Sequence, residues 1–479
     1  MRLLKREELL QLDKDALVEI ILQFQTQLQT LTQRVAELES QINKNSRNSS
    51  KPPSSDGPAK PKPKSLRKKG MRKSGGQPGH KGHTLKQVEQ PDHVVTLYAA
   101  CRCCSDADLT HCEVEAYERR QVFDLPQPRL EVTEYCAQIK HCPQCGKRVR
   151  GEFPEGVTAP TQYGARFNAL LVYLNQQQLL PAARTVQLMA DIFGQKVSQG
   201  TLFRAVNACH GRLSGFEERI KDQLRKGDVL HADETGLRTA GSLHWLHVAS
   251  TDRLTFYGVH KNRGRIAMDE FNILPGFSGR LIHDFWKPYL AYDCLHGLCN
   301  THHLRELLFL FEEQKQTWAG KMIEALLDMH HFTLTRKEIP VIQLTEEEKT
   351  PWLARYRAII GQGWQANPLP PSAPESAPKK RGRVAKTKAQ NLLVRLEGHE
   401  SSVLAFLHDL NVPFTNNLGE QDIRMLKVRM KISGCFRTLD GAKQFARIRG
   451  YLSTTRKNGL NLLDAMTQVF QGTPVIPSG

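Results

Sequence analysis

From Gly227 onward the chain breaks into five short apolar runs, VLHAD, SLHWLHVAST, LTFYGVH, GRLIHD and LHGLCN, with one segment of different texture, IAMDEFNILPGF, between the third and the fourth. Runs of this length bounded by turn residues read as strands. The first three follow at hairpin spacing and predict an antiparallel meander, after which a helix carries the chain to two further strands of the same sheet. Asp233 closes the first run and Asp284 the fourth, and the carboxyl ends of strands are where ligands of open α/β sheets gather. A third acid, Glu420, opens the segment TNNLGEQDIRMLKVRMK. There Glu420, Arg424, Lys427 and Lys431 recur at helical spacing on one face, and Ile423, Leu426 and Met430 on the other. Asn416 or Asn417 is the expected N-cap, which leaves Glu420 in the first turn, where a carboxylate is favoured.

Three acids from separate elements suit a hard ion, Mg²⁺ or Mn²⁺, and two such ions activate a water and steady a leaving oxygen. The chemistry this predicts is in-line attack on a phosphodiester, with Arg424, Lys427 and Lys431 gripping phosphate beside the metals. Asp293 competes with Asp284, Asp422 with Glu420, and Glu234 with Asp233, although strand alternation sends Glu234 to the opposite face. Trp245 and Trp286 are candidates for stacking on splayed bases, with core packing as the commoner fate of such residues. His231, His283, His302 and His303 invite a zinc-hydrolase reading, but no HExxH accompanies them and isolated histidines mostly make structural hydrogen bonds.

The words HADET, HDFW, LCNTHHLREL and NNLGEQDIRMLKVRMKISGCFRT, together with SSKPPSSD, GGQPGHKGH and CPQCG, resemble the transposases of the insertion-sequence-66 family, which belong to the DDE group. The resemblance spans most of the chain. It implies a ribonuclease H-like core and DNA strand transfer, with Asp233, Asp284 and Glu420 as the acidic triad. Asp233 would bridge the two ions, Asp284 hold one and Glu420 the other. The implied partners are double-stranded DNA, both element ends and target, and small accessory proteins of the same element. A noncatalytic DNA-binding protein or repressor derived from such an enzyme, and an RNase H-like nuclease, are the competing functions.

Upstream, Leu17, Ile21, Phe24, Leu28, Leu31, Val35, Leu38 and Ile42 alternate spacings of four and three, the seam of a parallel two-stranded coiled coil over residues 1–45. Homo-oligomerisation through this segment is the expectation. Residues 46–93 read as a basic linker too rich in Pro, Gly, Ser and Lys to fold alone. Between Lys60 and Lys73 it carries eight Lys or Arg and no acid, Lys68 and Lys69 among them. A zinc-binding module is expected over 94–153, with Cys101, Cys104, Cys142 and Cys145 as a closed tetrahedral structural set. Cys103, Cys112 and His111 stand as alternative ligands.

Residues 160–220 show helical spacing broken at Pro181 and Gly194. FGQKVSQGTLFRAV resembles a helix-turn-helix, with Gly194 in the turn, Ser198 as N-cap and Arg204 on the second helix as a DNA contact. The catalytic domain is expected over 226–455 with a helical insertion at about 304–412, followed by a C-terminal tail, 456–479. The insertion includes KKRGRVAKTK, whose Arg381 and Arg383 are further candidates for DNA contact. The fold class is therefore multidomain α+β: coiled coil, zinc module, helical DNA-binding region and α/β catalytic core with a helical insertion.

A formal net charge of +18 predicts a polyanionic partner. No run approaches the roughly 18 apolar residues of a membrane span, and no apolar h-region follows Met1, so a cytoplasmic, nucleoid-associated protein is expected. Eleven cysteines, an odd number with two CxxC pairs, fit reduced thiols plus a metal better than a disulfide framework.

Overall fold

The computed structural model describes residues 13–45, 47–49, 84–101, 103, 107–336, 343–369 and 386–475. Helix α1 (Lys14–Ile42) opens on Asp13, whose carboxylate accepts the Ala16 N–H at 2.7 Å. Its apolar stripe lies open: Ile21 and Leu28 are each 55% exposed and Ile42 81%. At its foot Asn43 donates to Glu313, and Arg47 pairs with Glu312. Between residues 84 and 164 the regular structure among the described residues is one hairpin, β1 (Ile139–His141) against β2 (Arg148–Arg150), folded around Cys142 and Cys145.

The helical region follows as α2 (Ala165–Val172), a π-helical turn over Tyr173–Gln177, α3 (Ala182–Phe193), α4 (Gln199–Arg212) and α5 (Ser214–Arg225). Helix α3 ends on Gly194 at φ 64°, a conformation that glycine adopts without penalty. Ser198 caps α4 by accepting the Thr201 N–H at 3.1 Å. The turn and cap thus fall on the residues that the sequence pattern singled out.

A five-stranded sheet then forms from β3 (Val229–Thr239), β4 (Ser242–Ser250), β5 (Thr255–His260), β6 (Arg280–His283) and β7 (Leu295–Leu298). Its order is β5-β4-β3-β6-β7, with the first three antiparallel and β6 and β7 parallel to β3. Helix α6 (Arg265–Phe271) makes the crossover but is shorter than the IAMDEFNILPGF pattern implied, because Asn272 turns left-handed at φ 54° and a 3₁₀ turn, Leu274–Gly276, follows.

After β7 come α7 (Asn300–Glu312), α8 (Thr317–Arg336), α9 (Glu346–Ala366), α10 (Lys388–Gly398), α11 (Glu400–Val403) and α12 (Ala405–His408). They enclose a core of their own around Leu307, Trp318, Met322, Tyr356, Leu393 and Leu407. The chain returns to the sheet as α13 (Asn417–Ser433) and α14 (Leu439–Lys457) and ends in α15 (Leu462–Gln471). Residues 462–471, expected within a tail, are therefore a helix, and its Ala465, Met466 and Val469 are buried in one core with α2 and α4.

Strand alternation divides the core around the sheet. Leu230, Ala232, Ala249 and Phe256 face the helices α2–α5, so the helical region and the sheet share one continuous core. Leu237, Leu246, Val248, Tyr257 and Val259 face the other way, against Ile423 and Leu426 of α13 and Phe445 of α14. Gly450 lets α14 lie on strand β5, since a Cβ there would sit 3.1 Å from the Thr255 carbonyl oxygen. The Thr454 hydroxyl accepts the Thr255 N–H at 3.0 Å on the same edge. Among the described residues no helix is long and apolar enough to cross a membrane.

Candidate active site

Asp233 lies in β3 opposite Val248, and alternation turns it to the face covered by α13. Asp284 follows the last residue of β6, where the backbone swings through a left-handed Phe285, φ 73°. This strained turn is held by the Phe285 N–H on His283 Nδ1 at 3.1 Å and the Trp286 N–H on Asp284 Oδ1 at 3.0 Å. Glu420 stands in the first turn of α13, its N–H bonded to the Asn416 carbonyl.

Asp284 and Glu420 lie near enough to Asp233 for their charges to act on it, but the three acids do not form a ligand group among the described residues. Burial, then the charges of Glu234, Asp284 and Glu420, push the Asp233 carboxyl well above the usual carboxylate range, against a 2.8 Å bond from the Glu234 N–H. Glu420 Oε1 is shielded from solvent and has no hydrogen-bond partner. Excess buried negative charge with an orphaned oxygen is what a divalent cation relieves, so these residues fit the ions that the acids implied.

Helix α13 is fastened along β3 at three points. At its start Asn416 occupies the N-cap position, but its side chain does not cap the helix. Asn416 Oδ1 meets His231 Nδ1 at 2.8 Å, its Nδ2 donates to the Ala232 carbonyl at 2.8 Å, and its N–H points at Cys299 Sγ at 3.1 Å. Midway, Lys427 Nζ reaches the Gly236 carbonyl at 3.4 Å, close enough to feel the charge of Asp233. At the far end Phe436 exchanges backbone hydrogen bonds with Arg238 and Ala240. Ile423 and Leu426 fill the space between helix and sheet.

The rival acids are occupied elsewhere. Asp422 pairs with Lys457 at 2.8 Å, and Asp293 is exposed in the turn before β7. Glu234, on the opposite face as alternation required, accepts from Tyr289 Oη at 2.5 Å and from Arg263 at 2.6 Å. The Arg263 guanidinium is sandwiched by the two candidate tryptophans, 4.8 Å from the Trp245 ring centre and 4.3 Å from that of Trp286. These rings thus hold a cation behind the acids. Of the histidines, His283 meets His296 at 3.1 Å and His303 meets Asn300 at 3.1 Å, and burial pushes both to a pKa of about 3.

Arg424 and Lys431 lie exposed on α13 and Arg204 on α4. Lys68, Lys69, Arg381, Arg383 and Cys104 fall outside the described residues. The Cys142 thiol is drawn below its ordinary pKa by N–H groups of Cys145 and Gln144, the geometry of a knuckle that favours thiolate. Cys101 Sγ lies 3.3 Å from Cys103 Sγ, but Cys101, Cys142 and Cys145 do not form a ligand group among the described residues. The set that does is Cys299, His302 and Glu420, whose ligand atoms lie within 4.8 Å of one another. The sequence reading missed Arg263, the inward-turned Asn416 and this trio; the one signal for the last was the Cys-x-x-His spacing in CNTHH.

The model of the transposase IS66 family matches residues 160–444, more than half of the chain. The chain belongs to this transposase family. The matched span contains Asp233, Asp284 and Glu420 with every strand of the sheet, and so covers the whole acidic site of this IS66-family transposase. A second model, of a family of unknown function, DUF6444, matches residues 2–86, which include α1. The transposase has no match among curated proteins.

Proposed function

We propose that this IS66-family member is a DDE-type transposase with a ribonuclease H-like core, which binds the ends of an insertion sequence and cuts and joins DNA through Asp233, Asp284 and Glu420. The observation that carries this reading is the family match over residues 160–444, which takes in Asp233, Asp284 and Glu420, with Asp284 and Glu420 near enough to act on the buried Asp233 carboxyl. These three residues would hold Mg²⁺ or Mn²⁺, which lowers the pKa of a bound water and stabilises charge on a leaving oxygen. Asp233, held between its neighbours, would be the ligand shared by the ions, with Asp284 and Glu420 completing the set. Lys427, beside Asp233, and Arg424 and Lys431 along the same helix neutralise the phosphate backbone and align the scissile bond.

Arg204 on α4 is a further DNA contact, and so are Lys68, Lys69, Arg381 and Arg383, read from the basic runs of the sequence. Cys101, Cys104, Cys142 and Cys145 bind one structural Zn²⁺, a reading supported by the backbone N–H groups aimed at Cys142. Two copies pair through α1, whose exposed heptad stripe supports it.

The test is cleavage in Mg²⁺ of labelled element-end duplex, unrelated duplex and an RNA–DNA hybrid by wild type and Asp233→Ala. The proposal expects wild type to cut and join the element ends preferentially, and the variant to bind DNA without cutting. Equal cutting of all three substrates would instead mark a general nuclease. Binding without cutting by wild type would mark a repressor.

A further inference from the structure

We infer that Cys299, His302 and Glu420 form a second kind of cation site, selective for one thiophilic divalent ion such as Zn²⁺, and that filling it inhibits the transposase by withdrawing Glu420 from Asp233 and Asp284. The inhibitory half rests on the proposed role of Glu420; the binding half does not.

The three ligand atoms come from two elements that meet at the end of the sheet. Cys299 is the N-cap of α7 and His302 lies in its first turn, while Glu420 lies in the first turn of α13. Their ligand atoms lie within 4.8 Å of one another, a group that neither Asp233 nor Asp284 joins. Two polar atoms there, His302 Nδ1 and Glu420 Oε1, are shielded from water without any partner. Orphaned buried atoms of this kind are rare and mark a ligand or a function. Nothing else nearby satisfies them: His231 is taken by Asn416, and His303 by Asn300.

The donor set decides the ion. One thiolate, one carboxylate and one neutral imidazole cancel a charge of two, which a buried site requires, and sulfur with nitrogen selects Zn²⁺ over Mg²⁺. Three protein ligands leave a fourth tetrahedral position for water. A cysteine thiol ordinarily carries its proton at neutral pH, so binding must expel it: the S–H bond is exchanged for an S–Zn bond and one proton leaves to solvent for each ion bound. No oxidant or reductant takes part.

Full-length wild type, His302→Gln and Cys299→Ser are saturated with Zn²⁺ in the presence of Mg²⁺, dialysed and analysed for bound zinc. Any zinc at Cys142 and Cys145 is common to all, so the expected result is one equivalent fewer in each variant than in wild type. Equal zinc in wild type and His302→Gln overturns the site. His302 is only half-buried, so this variant decides the matter even where Cys299→Ser, at a buried position, does not fold. Asp233→Ala keeps the extra equivalent; its loss there would place the ion among the acids and overturn the site as well.

For inhibition, added Zn²⁺ lowers Mg²⁺-dependent cleavage by wild type about tenfold and leaves the ratio of rates with and without zinc near one in His302→Gln. A wild type that takes up the extra zinc and cleaves undiminished overturns the inhibitory half. A wild type that never cleaves removes the proposed function, while the zinc count still decides the binding site.

Discussion

Helix α13 and helix α1 are both amphipathic, yet they end in opposite conditions. Along α13 the apolar residues Ile423 and Leu426 are buried under the sheet, and the helix is tied to β3 by Asn416, Lys427 and Phe436. Along α1, Ile21, Phe24, Leu28 and Leu31 remain open, although their spacing is the more regular of the two. Periodicity alone therefore reports that a face will be covered, not by what. The polar residues at and along α13, the N-cap Asn416 above all, are the ones that commit it to a single intramolecular partner. The heptad stripe of α1 has no such commitment and suits a second chain.

The difference is sharpened by substitution. The largest effect is expected from Asp233→Ala. Under the proposed role of Asp233 its loss should cost several kcal/mol of transition-state stabilisation, so cleavage in Mg²⁺ should fall by about 1,000-fold or more with DNA affinity kept. Retained cleavage would show that the site under α13 is not the reactive one. Next is Asn416→Ala, which strands His231 and the Ala232 carbonyl without a partner. A loss of about 2–4 kcal/mol in urea unfolding is expected, with weakened cleavage as Glu420 loosens. An unchanged midpoint would mean that the helix is held by its apolar face alone.

Acid should act on the same region and spare α1. His231, His247, His283 and His303 are all depressed by burial, His247 to about 4 and His283 and His303 to about 3. Each is neutral when folded. For His247, His283 and His303 the stability this lends is full above pH 6.5 and is lost as pH falls toward 4 or 3, at roughly 1 kcal/mol per pH unit for each. Asp233 has the opposite sign. Its raised pKa means that stability is lost as pH rises through that value, so Asp233→Asn should stabilise the metal-free protein at neutral pH. Thermal melts from pH 4 to 8 separate the two contributions.

The smallest effect on the core is expected from Leu28→Pro. It should break α1 and convert a dimer to a monomer in sedimentation, yet move the unfolding of the sheet by no more than about 0.5 kcal/mol. A wild type that sediments as a monomer would refute pairing through this helix.

The sheet was legible because its strands differ sharply in period and composition from the helices around them, and because Asp284 and Glu420 stand at the boundary of an element; Asp233 does not, since β3 runs on to Thr239 past the apolar run that Asp233 was expected to close. Helix lengths were less so: Asn272 ends α6 by adopting a left-handed conformation that its identity permits but does not compel. The electrostatic setting of the acids was not legible at all. It depends on Arg263, which enters from the loop after β5, and on Tyr289, which enters from the turn after β6; both bind Glu234, a residue that alternation alone assigns to the wrong face for chemistry. Cys299 and Glu420 are brought together only by the return of the chain after α12, a long-range contact that no local pattern encodes.

That return has a consequence for a chain being made on the ribosome. Two acids emerge with the sheet, but the last is supplied only after the entire α7–α12 segment has been translated. At roughly 5–20 residues per second, this leaves an interval of seconds to tens of seconds in which the nascent chain carries Asp233 and Asp284 without Glu420. If Glu420 has its proposed role, a truncated or stalled product ending inside that segment should be unable to cut, since the residue has not yet been polymerised.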